Sequence, residues 1–135
     1  MQDGPSSSEM LTAIISLLTD RIAPKIDGHD AYALRVAINS LGTVKRECDD
    51  RAAYEASEHS RLIEILGHDG QLSDLNAELC EKIRNGDFTL GNKSVLKHLK
   101  QTAIDQVRID QPKYSGLAYA LEQSSKCPPK TPPAQ

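Results

Sequence analysis

The sequence predicts an all-α protein, a single-domain bundle of about five mostly antiparallel helices. Apolar residues recur three and four positions apart in five segments, which is the period of a helix that packs one face. No segment alternates apolar and polar residues as a strand does, and a chain of 135 residues has the length of one domain. Aromatic residues make up only 4% of the chain, so the core of such a bundle must be aliphatic.

The first helix is predicted over residues 9–23, after a flexible lead at residues 1–8. Ser6 and Glu9 form a capping box, in which each side chain satisfies a backbone N–H group of the other at a helix start. Pro24 ends this helix because proline has no N–H group to donate into the helical ladder.

The next segment, residues 30–66, is open to two interpretations. Asp30 is a reasonable N-cap for a helix that runs to about Cys48, and a further helix is expected from about Arg51 to Leu66, before Gly67. Polar residues interrupt the apolar pattern between the two, but no proline breaks it. One continuous helix is therefore the alternative.

The remaining helices are predicted over residues 72–85, 93–110 and 115–123. Glycine or proline follows the first two of these segments, as is typical of helix ends. Residues 124–135 contain four prolines among mainly polar residues, which predicts a disordered tail. The bundle itself is thus assigned to residues 9–123. The following residues are expected to be largely buried: Leu18, Leu34, Leu41, Leu62, Leu66, Leu75, Leu79, Ile83, Leu99 and Ala103.

The cysteines and histidines form no recognisable metal or redox motif. Cys48 and Cys80 fall on apolar stripes, where a free cysteine packs as a small hydrophobic residue. A metal site of His59, His68 and Asp69 is conceivable, but its spacing is not that of a known motif, so no metal and no other cofactor is predicted. The cysteine usage predicts a reducing, cytoplasmic location.

Charge and hydropathy exclude several classes of protein. A net charge of −3 argues against nucleic-acid binding, and no apolar stretch is long enough to span a membrane. Residues 92–113 are locally basic, and Lys93, Lys97 and Lys100 share one helix face. This face is interpreted as a solvated surface or, alternatively, as a docking patch for an acidic partner protein.

One side of the second helix carries polar residues and a glycine: Tyr32, Arg35, Asn39, Gly42 and Arg46. Two guanidinium groups in this arrangement favour bidentate binding of a carboxylate or phosphate. In the alternative interpretation the arginines are structural, with Arg35 and Asn39 at least partly buried and Arg46 paired with an acidic residue such as Glu47.

Four segments carry a resemblance to a known family: AYALRVAINSL at 31–41, VKRE at 44–47, LNAELCEKIRNG at 75–86 and IDQPKY at 109–114. Over about residues 9–114 the chain resembles a small bacterial family of unknown function. Members of that family tend to be encoded beside phosphotransferases of the aminoglycoside/choline-kinase type and acyl-CoA dehydrogenases. The resemblance implies a helical accessory role near such a pathway, and it supplies no catalytic residue.

The function favoured by these observations is that of a small accessory or interaction protein that supports a phosphotransferase-like or acyl-CoA dehydrogenase partner. An enzymatic role is not favoured, because no catalytic motif is found. The alternative is a protein that binds a small acidic metabolite through Arg35, Asn39 and Arg46.

Overall fold

The computed structural model describes residues 4–125, with side chains as far as residue 123. Every regular element in this range is helical, and no strand occurs within it, so the predicted all-α fold with about five helices is confirmed. The helices are α1 (Ser7–Leu17), α2 (Gly28–Leu66), α3 (Leu72–Asn85), α4 (Lys93–Asp110) and α5 (Ser115–Ser125). The start of the predicted lead, residues 1–3, and most of the predicted tail, residues 126–135, lie outside the described residues.

The chain divides into two compact units, Met1–Ser57 and Glu58–Gln135. Helix α2 contributes to both, with residues 28–57 in the first unit and residues 58–66 in the second. The predicted mostly antiparallel packing of the helices stays a prediction.

Helix α1 begins with the predicted capping box. The Glu9 backbone N–H donates to Ser6 Oγ at 3.2 Å, and the Ser6 backbone N–H donates to Glu9 Oε2 at 2.7 Å. These hydrogen bonds lower the pKa of Glu9, because they stabilise its carboxylate form. The helix continues through a π-helical turn, Leu18–Ile22, into a 3-10 turn, Ala23–Lys25. Pro24 lies within this last turn, so the helical run ends at Lys25, two residues later than predicted.

Helix α2 is a single helix of 39 residues, which decides between the two sequence-based interpretations. Two ion pairs cover the stretch where the apolar pattern is interrupted. Lys45 Nζ lies 2.6 Å from Asp49 Oδ2, and Arg51 Nη2 lies 2.7 Å from Glu47 Oε1, both at the i, i+4 spacing that supports a helix. A polar stretch therefore continues the helix instead of ending it.

The first unit has no fully buried residue between positions 4 and 57. Leu18, Leu34 and Leu41 are half-buried, so the expectation that they are largely buried was too strong. Cys48 is exposed, contrary to the expectation for an apolar stripe. The Asp49 carboxylate accepts a hydrogen bond from Lys45 Nζ at 2.6 Å, and this contact together with the nearby Ser8 hydroxyl lowers the pKa of Asp49.

The second unit holds a well-packed apolar core. Its centre is formed by one residue of α2, two of α3 and one of α4: Leu62, Leu75, Leu79 and Val95. Burial of the first three is as predicted, and Leu66 packs against this cluster while half-buried. Gly67 (φ 82°) and Gly86 (φ 84°) adopt the left-handed conformation after α2 and α3, where glycine has no steric penalty.

The buried face of α4 differs from the predicted one. Leu99 and Ala103 are exposed, as are Ile83 and Cys80 of α3, so these predictions of burial were wrong. The residues of α4 that are buried instead are Val95, His98, Ile104, Asp105 and Ile109. The apolar pattern failed here because two of the buried residues are polar, and a search for apolar stripes assigns such residues to the surface.

Candidate functional sites

A row of polar side chains lies on the buried face of α4. His98 is 2% exposed and Asp105 is 7% exposed, and half-buried Thr102 lies between them. With Val95 and Ile109 these residues are spaced three and four apart, so all of them face the same way. Ionisable groups that are buried in this way need hydrogen-bond or charge partners.

Arg61 of α2 supplies most of these partners. Its Nε donates to His98 Nδ1 at 3.4 Å, and its Nη2 donates to Thr102 Oγ1 at 3.3 Å. The same Nη2 lies 3.8 Å from Asp105 Oδ2. One guanidinium group therefore contacts three successive polar residues of the α4 row.

Two residues of α4 itself also contact the Asp105 carboxylate. Gln101 Nε2 donates to Asp105 Oδ1 at 2.8 Å, and Arg108 Nη1 lies 4.0 Å from the same oxygen. With Arg61 on the other oxygen, the buried carboxylate has both charge and hydrogen-bond partners. This satisfies the condition under which a buried charge is tolerated.

These contacts favour the neutral form of His98. Because Nδ1 accepts a hydrogen bond from Arg61, the neutral ring carries its proton on Nε2. Burial and the positive charge of Arg61 lower the pKa of His98, and nearby Glu58 opposes this only in part. His98 is therefore a neutral donor at pH 7.

A cavity of about 290 Å³ opens beside this cluster, between α2 and α4. It is lined by Arg61, Glu64, Ile65, Ser94, Lys97 and His98. Glu64, Ser94 and Lys97 are exposed and form its rim, whereas His98 is buried and forms its floor. Sequence reasoning placed Lys97 on a candidate patch but missed Arg61 and His98. A signal for His98 was the run of polar residues at positions 98, 102 and 105 in helical register with Val95 and Ile109, whereas no local pattern marked Arg61.

The opposite side of α4 is apolar and exposed. Leu96 is 40% exposed and Leu99 is 44% exposed. The predicted lysine patch, Lys93, Lys97 and Lys100, is also exposed. The two features adjoin, because Lys93 and Lys100 stand three residues before and four residues after Leu96.

An apolar groove of about 190 Å³ lies next to this surface, between α4 and α5. Its lining includes Ala103 and Val107 of α4, Leu117 of α5 and the Tyr114 side chain. The Tyr114 ring lies so close to Gly116 that a Cβ atom on this glycine would stand 2.5 Å from Tyr114 Cε1. Glycine is therefore required there for the ring to take this place.

The predicted polar side of α2 is more exposed than the structural interpretation requires. Tyr32 is 61% exposed, and Arg35 and Asn39 are exposed too, so the expected partial burial of these two residues was wrong. Arg46 donates to Thr43 Oγ1 at 3.0 Å, while the predicted partner Glu47 accepts from Arg51. Binding of an acidic metabolite at this side of α2 stays a prediction.

The histidines between α2 and α3 are used for local contacts. His59 Nε2 lies 2.8 Å from the Gly70 carbonyl oxygen and 3.2 Å from Asp69 Oδ1. His68 Nε2 lies 2.8 Å from Glu78 Oε2, and its contacts with Asp69 and Glu78 raise the pKa of His68. Among residues 4–125, no three His, Cys, Asp or Glu side chains come together in a way that suits a metal ion.

The fold and these sites define an all-α protein in which an arginine and a histidine share a small polar cavity. The chain belongs to the family described as Domain of unknown function (DUF6285), whose profile matches residues 24–114. The matched range includes α2, α3 and α4 and therefore the whole polar cluster. No curated protein and no solved structure matches the chain.

Within the part of the chain that the structure describes, none of the helices combines the length and the hydropathy needed to cross a membrane.

Proposed function

We propose that this protein is a helical accessory protein that docks on a larger protein through the outer face of α4. The observation that carries this proposal is the exposed apolar stripe of Leu96, Leu99 and Ala103, on the side of α4 away from the core. Helices of globular proteins usually present polar residues on that side. An exposed apolar stripe with a polar rim is typical of a protein-binding surface.

The charges around this stripe favour an acidic partner. Lys93 and Lys100 flank Leu96, and both lysine side chains are exposed. A partner helix with an apolar side and a row of carboxylates is complementary to this face. The 190 Å³ groove between α4 and α5 adds space for one large apolar side chain of that partner.

The resemblance described above supplies the candidates for the partner. A phosphotransferase of the aminoglycoside/choline-kinase type and an acyl-CoA dehydrogenase are the two classes to test. In this proposal the protein adds no chemistry of its own and acts by holding or regulating the enzyme that it contacts.

Isothermal titration of the purified protein against a purified enzyme of each class, from the same organism, tests the proposal. We expect binding to one of the two, weakened about tenfold or more by Lys100→Glu and by Leu96→Ser. Lys113→Glu is the matched control, because it makes the same charge change outside the stripe and should leave the affinity nearly unchanged.

Binding to neither enzyme would contradict the proposal, as would binding that is insensitive to Lys100→Glu and Leu96→Ser. Sedimentation of the protein alone completes the test. Self-association that is lost in Leu96→Ser would show that a second copy of the chain, and not another protein, occupies this surface.

A further inference from the structure

We propose that the cavity between α2 and α4 is a binding site for a small oxyanion, a carboxylate or phosphate group. It is separate from the docking face of α4, and nothing in the proposed accessory role requires it. Three features of the cavity favour such a ligand: the donors that line it, the unused nitrogen of His98, and its size.

Hydrogen-bond donors outnumber carboxylates in the lining. Lys97 is cationic, Ser94 carries a hydroxyl group, Arg61 shares its charge with Asp105, and Glu64 is the acidic residue at the rim. The neighbouring carboxylates are already engaged, since Asp105 is held by Gln101 and Arg61, and Glu58 accepts from Asn76 at 2.9 Å. The lining therefore favours an anion over a cation.

The strongest indication that the cavity binds a ligand is the buried side chain of His98. It is 2% exposed, its Nδ1 is used by Arg61, and its Nε2 has no hydrogen-bond partner among the described residues. No side-chain nitrogen or oxygen in the described part of the chain is both sealed from solvent and unpartnered. The Nε2 atom is therefore reached from the cavity that His98 lines, and an oxygen atom in this cavity would complete its hydrogen bonding.

The volume of the cavity limits the size of the ligand. A cavity of about 290 Å³ is at the lower end of the range for small-molecule sites. It has the volume of about ten water molecules, at ~30 Å³ each. A phosphate ion or a short dicarboxylic acid has the right size, whereas a nucleotide is too large to be enclosed.

Proton–nitrogen NMR of the imidazole rings tests this inference directly. The full chain is titrated with sodium phosphate and, in a second arm, with sodium succinate, each at constant ionic strength set by sodium chloride. We expect saturable shifts of the His98 Nε2 signal with one of the two anions, and the arm that saturates identifies the anion class. Loss of this signal in His98→Asn assigns it.

Three variants separate the site from general charge effects. His98→Asn keeps an acceptor for Arg61 but is too short to place a donor at the position of Nε2, and Lys97→Gln removes a charge from the rim. Each is expected to weaken anion binding, measured by titration calorimetry, by about 10- to 100-fold. Lys93→Gln is the matched control on the same helix and should bind as the unmodified protein does.

Two results would overturn the inference. Absence of saturable shifts with both anions at millimolar concentration excludes the site. Equal weakening by Lys93→Gln and Lys97→Gln would show that the anions respond only to the overall charge of α4. Either outcome leaves the docking proposal standing, because that proposal depends on Leu96 and Lys100.

Discussion

His98 couples the stability of the second unit to pH. Its pKa is lowered by burial and by Arg61, so in the folded protein it lies below the usual value of 6.5. As the pH falls through 6.5, the unfolded chain takes up a proton at this residue before the folded chain does. The stability linked to neutral His98 is therefore fully present above pH 6.5 and is lost as the pH falls toward the folded pKa.

We predict that His98→Asn flattens the decrease in unfolding free energy between pH 7 and pH 5. Urea denaturation of the two proteins at pH 7, 6 and 5 measures this. His68→Gln is a control with the opposite sign, because the raised pKa of His68 favours the folded state below pH 6.5. Removing that residue should make the decrease steeper. Parallel curves for the unmodified protein and His98→Asn would contradict the prediction.

The residues of the candidate cavity show why sequence reasoning found only part of it. Lys97 was singled out because basic residues stand out by charge alone. His98 and Asp105 look like surface residues in the sequence, and their burial depends on Arg61, which is 37 residues away from His98 along the chain. Pairing across such a distance leaves no local pattern.

At the level of single elements, helix ends were predicted better than helix faces. The bounds of α3 and α4 agree with the prediction, because glycine, asparagine and proline act locally on the backbone. The face that a helix buries is decided by its neighbours. In α4 the cost of burying His98 and Asp105 is offset by Arg61, and the stripe around Leu99 is left outside.

Helix α3 allows a direct test of burial by two matched substitutions. Leu79 is 2% exposed in the core, whereas Ile83, one turn later, is 39% exposed. We predict that Leu79→Ala lowers the unfolding free energy by about 2–5 kcal/mol, the usual cost of a core cavity. Ile83→Ala should cost much less, because little packing is lost. Similar losses in chemical denaturation would mean that Ile83 is covered in solution.

On the scale of the whole molecule, the two units differ in how they are stabilised. The second unit has a core of fully buried residues, while residues 4–57 of the first unit contain none. Half-buried leucines contribute less transfer free energy than buried ones, since the stabilisation follows the apolar area removed from water. The first unit should therefore open more readily.

Hydrogen exchange followed by mass spectrometry measures this difference. We predict that backbone amides of α3 and the first half of α4 exchange most slowly and that those of α1 exchange much faster, because local stability follows the density of buried contacts. The same experiment in the presence of a partner enzyme gives an internal control, since only the contact surface should change. Uniform protection of α1 and α3 would contradict the prediction.

The position of Tyr114 in the groove between α4 and α5 has a practical consequence for fluorescence measurements. The chain has four tyrosines and no tryptophan, so its intrinsic fluorescence comes from tyrosine. This emission is not lost by energy transfer to an indole ring. The Tyr114 ring lines the apolar groove between α4 and α5, at the border of the docking face. A ligand or partner side chain that enters this groove changes the surroundings of that fluorophore. The protein thus carries its own optical reporter at this groove, without any label.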